Sequence, residues 1–433
     1  MIRATTGSPA SPNRSTPART VLFLAAFALV FAAGILAAGP LNPPAGAVTS
    51  TYKTLTEVEP RTAVNTTNTP GDADSVYKIT QRGSYYLTGD VIGSTGQYGI
   101  EIAADNVSID LNGFSVVNSG LGLDGVSTAG IFRVSITIRD GVISAWGDWA
   151  IDLVGTGHRV ENVLSRVCTN GGIRVGASAI VTGCSVSGSL GDGYSVTGSG
   201  SALRDCTAVA NSAQGFIIAG GATLANCTAN ANASTGFNAT ADGVTFDHCT
   251  SANNAGRGFV AANAATLTGC VASDNGSYGF LVSRGAIISQ CTSDSNATIG
   301  IQGSFGVTIE RCIARFNGEH GILVGSACDI RDNVTYLNAQ TQTTAAGITT
   351  NGGLNRIEGN QSIQNGHGIW ISGAGANFIA RNTCGSNTVT NWEIVAGNNL
   401  APIVQATPNA ATVSGNTYTG SVGTTNPWAN LTY

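Results

Sequence analysis

Lysine is nearly missing from this chain. Lys53 and Lys78 stand against eighteen arginines, and charged residues of both signs make up 10% of the 433 residues. With a net charge of −5 there is no basic stripe of the kind that binds nucleic acid. No C-x-x-C pair occurs, so the ten cysteines do not form a local zinc cluster. Neither Asn-x-Asp nor Asp-Asp occurs, so the paired carboxylates that glycoside hydrolysis uses are not visible as a motif. After residue 39 no apolar run is long enough for an ordinary helix. The short runs alternate with period two, punctuated by Gly and Asn, and this pattern excludes a helical bundle.

What is abundant is glycine, 58 residues, near twice the usual share, and a periodic cysteine. Cys184, Cys206, Cys227, Cys249, Cys270, Cys291 and Cys312 follow one another at steps of 22, 21, 22, 21, 21 and 21. Three positions before each stands an apolar residue, Val181 through Ile309. Five after, from the second repeat on, stands Asn211, Asn232, Asn254, Asn275, Asn296 or Asn317. Nine after is always glycine, Gly193 through Gly321, followed by an aromatic residue or Ile. A repeat of this length with three short strands and three turns is one rung of a solenoid. Leucine-rich repeats have a similar length, but their framework is missing. The reading is an all-β, right-handed parallel β-helix in which equivalent residues of successive rungs form columns. Extending the cysteine slot to Asn112, Gly141, Val163, Asn333, Asn360 and Asn382 gives about thirteen rungs. The Asn column is expected at a left-handed turn with its amides stacked, and the glycine column at a second turn with positive φ. Stacked side chains point the same way and seven is odd, so the cysteines are expected as reduced, buried core residues. Disulfides in some pairs are the competing reading, and export would favour them.

Arg3, Arg14 and Arg19 precede an apolar stretch from Val21 to Gly39, followed by Ala45-Gly46-Ala47. Residues 1–47 are therefore expected to be a signal peptide or an uncleaved membrane anchor, which puts the rest in an extracytoplasmic, secreted or cell-surface setting. Residues 48–75 read as a polar linker, 76–400 as the β-helix and 401–433 as a C-terminal cap or tail. The slot spacing breaks twice, between Asn112 and Gly141 and between Asn333 and Asn360. The second break implies a loop near Ala339–Ala346, and inserted loops on solenoids are where function concentrates. Gly120-Leu121-Gly122-Leu123-Asp124-Gly125 matches a dinucleotide-binding pattern, but no helix follows it.

The repeated Cys-Thr, then Asn, then Gly-Phe, as in Cys227-Thr228, Asn232 and Gly236-Phe237, resembles the pectin-lyase-like right-handed β-helix superfamily over about residues 76–400. That superfamily includes pectate lyases, polygalacturonases, mannuronan epimerases and phage tailspikes. The resemblance therefore implies a polysaccharide partner without fixing an activity. Polygalacturonase-like enzymes carry a Gly-His-Gly, matched by Gly366-His367-Gly368, which makes His367 a catalytic candidate. Pectate-lyase-like chemistry uses calcium held by carboxylates and a basic residue that takes the proton. The nearest arrangement here is Glu101, Asp152 and Arg174, which share one outward column, with Asp124, Asp148 and Trp149 at the turn before it. Asp152 and Arg174 are the catalytic candidates of that face. Calcium enters only under this lyase reading; no other cofactor or metal is expected.

A second grouping joins Glu319, His320, His367 and Trp370 beside the second insertion, with Trp370 as a platform for a sugar ring. Trp370 also ends an outward row with Ile217, Val260, Leu281 and Leu323. The leading expectation is an exported β-helix that binds, with or without processing, a polysaccharide. A structural or adhesion rod and a lyase or epimerase on the N-terminal acidic face are the alternatives. If the chain is an enzyme, a lyase or epimerase fits better than a hydrolase. No nucleic-acid partner is expected, and a membrane contact only through an uncleaved N-terminus.

Overall fold

Three short strands per turn, each pairing in register with its equivalent one turn away, build the described part of residues 60–433. The computed structural model describes residues 59–119, 121–339, 344–373, 375–405 and 426–433. The expected signal or anchor at 1–47 lies outside these, as do residues 340–343 of the second insertion and most of the C-terminal tail. A typical turn consists of Ala202–Arg204, Thr207–Val209 and Phe216–Ile218. The next turn pairs with it in parallel, Leu203 opposite Leu224, Ala208 opposite Ala229 and Ile217 opposite Asn238. This gives three parallel sheets. Two longer strands, Thr137–Ser144 and Arg159–Arg166, run through one corner and join the first two sheets. The third sheet is unbroken from Ser75–Ile79 to Thr390–Ile394, fifteen strands along its path. At about 4.8 Å per turn it is roughly 70 Å long. Thirteen slots undercount these fifteen turns by the first two, whose third-sheet strands Ser75–Ile79 and Tyr98–Ile102 precede Asn112. The architecture is the all-β, right-handed parallel β-helix expected from the repeat.

Strands of three residues bury one side chain in the first two sheets, such as Leu203 and Ala208, and two in the third, such as Phe216 and Ile218. In-register pairing brings the aromatic column to ring-stacking distance. Tyr194, Phe216, Phe237, Phe259 and Phe280 lie with successive centroids 4.6, 4.7, 4.8 and 4.9 Å apart and rings within 10° of parallel.

The cysteines are all free and buried, and burial raises the Cys184 thiol to about 12. The slot does more than fill space. Cys312 Sγ donates to the carbonyl of Ile288, three positions before the slot one turn back, at 3.6 Å. Where Asn333 takes the slot, its Nδ2 donates to the equivalent Ile309 carbonyl at 2.9 Å. Cysteine and asparagine interchange there because each is small and offers a donor to the same acceptor.

The Asn column forms an amide ladder. Asn254 Nδ2 donates to Asn275 Oδ1 at 3.0 Å, Asn275 to Asn296 at 2.9 Å and Asn296 to Asn317 at 3.0 Å. The ladder continues through Asn338 and Asn365. The left-handed residue, however, is the one before each Asn, such as Ala210, Ala231 and Asp274, each with φ 54°. The Asn backbone is free to donate to the next Oδ1 in line, as Asn275 N–H does to Asn296 at 3.1 Å.

The glycine column is also not at positive φ. A Cβ on Gly215 would stand 2.6 Å from the Gly236 carbonyl oxygen, 2.9 Å from Ala229 Cβ and 3.0 Å from Asn232 Nδ2. Those glycines make room for the amide ladder.

Three boundaries move. Asn112 is not in the core slot; it is exposed with φ 54°, and the fully buried Leu111 takes the core position in a longer corner. Pairing begins inside the expected linker, where Thr62–Val64 pairs with Tyr85–Leu87. Ala346 belongs to the third sheet, opening Ala346–Thr350, and does not belong to the inserted loop. At the other end Asn430–Thr432 pairs with Ile403–Gln405 and with Thr383 and Cys384, covering part of the last turn.

Candidate functional site

Every candidate residue except Glu319 and Asp148 lies on two outward rows of the third sheet, and those two sit in the turns beside it. One row runs Lys78, Glu101, Ser127, Asp152, Arg174 and on to Trp370 and Glu393. The other, at the strand entrance, carries Trp149, His320, His367 and Thr390. The parallel register fixes this, because each outward residue sits above its equivalent one turn away.

At the N-terminal end, Arg174 holds both oxygens of Asp152, Nε to Oδ1 at 2.6 Å and Nη2 to Oδ2. The Asp152 side chain is 5% exposed. The guanidinium lies 5.2 Å from the Trp149 ring centroid, and the hydrogen bonds to Asp152 hold its pKa above the usual arginine value. Trp149 is not an open platform. It is 5% exposed, packed where Gly171 leaves no side chain, and it supports Arg174 from beneath. Asp124, also buried, accepts the Trp149 backbone N–H at 2.9 Å. Burial lifts its carboxyl to about 6. Asp148 is bound from the next turn by Asn170 Nδ2 at 2.7 Å. Glu101 meets Lys78 Nζ at 2.8 Å, and the same ammonium meets Asp72 at 2.7 Å.

Asp72, Asp74 and Glu101 come within metal-ligand range of one another. They do not fit calcium as the lyase reading would require, because the Lys78 ammonium already takes the cation position between two of them. Asp152, the remaining carboxylate at this end of the row, is closed by Arg174.

At the C-terminal end the two histidines, two turns apart, flank one indole. The His367 ring is 5.2 Å from Trp370 at 25°, and the His320 ring is 6.3 Å away at 43°. Trp370 is half-buried on the outward row, between Thr349 and Glu393. His320 Nδ1 accepts the Ala346 N–H at 3.0 Å. Burial, aided by the charge of His367, lowers its pKa to about 4, so the ring is neutral near pH 7 and carries its proton on Nε2. His367, 5% exposed, places Nδ1 at 3.1 Å from both Thr390 Oγ1 and Glu393 Oε2. Glu319 lies in the turn before His320.

Glu393 and Thr390 are members of this cluster that the repeat alone does not reveal, since the slot pattern ends at Asn382. The signal was the spacing of 23 from His367 to Thr390 and from Trp370 to Glu393, which keeps both in register. Ala339 and Thr344–Ala345, on either side of residues 340–343 of the second insertion, belong to the described residues; 340–343 lie outside them.

The structure therefore brings together Asp124, Asp152, Arg174, Trp149 and Asp148 at one end. It brings together His320, His367 and Trp370 at the other, about ten turns or 50 Å away along the same sheet.

No curated protein matches the chain significantly. Solved structures with similar strand architecture include the A-module of the mannuronan C-5 epimerase AlgE6 of Azotobacter vinelandii. It is 17% identical, covers 74% of this chain and 91% of that one, and has a TM-score of 0.40. A tailspike protein of E. coli bacteriophage HK620 in complex with pentasaccharide is 10% identical, with coverage of 76% and 67% and a TM-score of 0.41. The periplasmic alginate epimerase AlgG is 9% identical, with coverage of 78% and 80% and a TM-score of 0.36. Such likenesses do not speak to activity. Residues 149–292 match the family model of the right handed beta helix region, and parallel pairing carries that architecture on both sides of the match, from Thr62 to Thr432.

Proposed function

We propose that this chain binds a polysaccharide along the outward face of its third sheet, in the extracytoplasmic setting that residues 1–47 imply. The observation that carries the reading is Trp370. It is a half-buried indole on an otherwise regular outward row, flanked by His320 and His367 and followed by Glu393. An aromatic face with hydrogen-bonding groups at its rim suits a pyranose, which presents C–H bonds on its faces and hydroxyls at its edge. A parallel β-helix extends such a station into a track, with a fresh side chain about every 4.8 Å.

Binding is favoured over lyase or epimerase chemistry at the N-terminal face. Arg174, the base that such a reaction would use, is tied to Asp152 through two hydrogen bonds. Breaking that pair leaves a buried charge uncompensated, at a cost of about 2–4 kcal/mol for a partly exposed arginine. The pair is a strut in the wall of the solenoid.

The test is a glycan array probed with the full chain and with Trp370→Ala. Wild type is expected to retain at least one polysaccharide, and Trp370→Ala to weaken that binding by about tenfold or more. An array on which the wild type binds nothing would overturn the reading.

A further inference from the structure

We propose that the polymer on the third sheet is an uncharged glycan whose rings lie over the central outward row from Ile217 to Leu323; this rests on the polysaccharide reading above. Six successive turns place Ile217, Asn238, Val260, Leu281, Gln302 and Leu323 in that row. Each is half-buried. Apolar side chains and amides share the row, and none of the six is charged. The apolar members match the C–H faces of sugar rings, and the amides match their hydroxyls.

The charges around this stretch argue against a charged polymer. Among the described residues, the arginine and lysine at the N-terminal end of the outward row are paired with carboxylates, and the entrance row carries one arginine on an aromatic ring. Lys78 is held by Asp72 and Glu101, Arg174 by Asp152, and Arg257 lies over the Tyr278 ring at 5.7 Å. Within the two rows beside this stretch Arg257 is a single guanidinium, whereas acidic polymers are recognised by repeated guanidinium–carboxylate pairs. Asp192 stands half-buried at the entrance row, accepting the Gln214 N–H at 2.9 Å, and Glu393 stands beside Trp370. A polyuronate laid on this face meets six uncharged side chains along the row and, beside them, only the single exposed guanidinium of Arg257. The neutral His320 beside Trp370 adds no positive charge.

The experiment measures binding of the full chain to neutral glucans and mannans, to polyuronates and to chitosan, each at low and high salt. A neutral polymer is expected to bind with an affinity that salt leaves nearly unchanged, since no ion pair is being screened. Leu281→Gln, which keeps the side-chain volume, is expected to weaken that binding by about fivefold to tenfold. Ile313→Gln, on the second sheet, is expected to leave it unchanged, and thermal melting of both variants reports whether they fold. A polyuronate or chitosan that binds as tightly as the neutral polymers, with salt-sensitive affinity, overturns the inference while leaving the polysaccharide reading intact. A folded Leu281→Gln that binds like wild type overturns the placement. Absence of binding to every polymer overturns both.

Discussion

At Asn333 the chain exchanges a thiol for an amide in the same slot, and the hydrogen bond to the preceding turn survives the exchange. Spacing reveals the slot, but only the geometry shows that it asks for a small donor. The glycine column teaches a similar lesson. Its regularity is legible in the sequence, yet positive φ is the wrong reason for it: Gly215 is needed because a Cβ would strike a neighbouring carbonyl oxygen and the amide ladder. Backbone angle and close approach leave the same residue in the sequence, so a single chain does not separate them. Asp124 carries a testable consequence at this scale. Burial raises its carboxyl from 3.8 to about 6, so between those values the folded chain holds a proton that the unfolded chain releases. The stability that this group contributes is full below about pH 4, declines as pH rises to about 6 and is flat above that. Asp124→Asn keeps an oxygen to accept the Trp149 N–H and removes the charge. Its unfolding free energy at pH 7 should exceed that of wild type by about 1–3 kcal/mol, with the difference closing near pH 4. Urea melts across that range check this, and parallel pH profiles for the two proteins would contradict it.

A strand of three residues has little stability of its own, and in this solenoid each strand is fixed by the two that pair with it. The rung is therefore the cooperative unit, and its length is set by the columns. Excising Val271–Cys291 joins Cys270 to Thr292 and removes one rung with every column intact. The shortened chain is expected to fold with the same β spectrum and a melting temperature within a few °C of wild type, since each rung touches only its neighbours. Excising Val271–Gln290 instead joins Cys270 to Cys291 and shifts all later strands by one residue, which turns core side chains outward. That second chain is expected to lose cooperative melting. Circular dichroism of the two deletions decides, and equal behaviour would refute the register argument. Where rungs depart from 21 or 22 residues the sequence is less readable. In the turn around Asn112 the extra residues sit in a corner, so that Leu111 fills the core. Trp146, fully buried with its Nε1 donating to the Val116 carbonyl at 3.0 Å, fills the wider first insertion. No column predicts either residue, because neither belongs to the repeat.

Over the whole molecule the outward face of the third sheet was legible as a row: Glu101, Asp152 and Arg174 at one end, Trp370 at the other. Burial was not. Trp149 lies in the same entrance row as His367 but is packed under Arg174, whereas Trp370 stands half open. Sequence position assigns a side chain to a face, and only its neighbours decide whether that face is open. Glu393 was hidden for another reason, since it comes after the last slot residue and is placed by pairing with Trp370 alone. The most direct test of the account is hydroxyl-radical footprinting of the full chain with and without a bound neutral polysaccharide. Protection is expected at Trp370, Leu323, Leu281 and Val260 on the third sheet, with Ile313 and Tyr336 on the second sheet unchanged. Protection confined to the first or second sheet, with Trp370 still fully reactive, would contradict it.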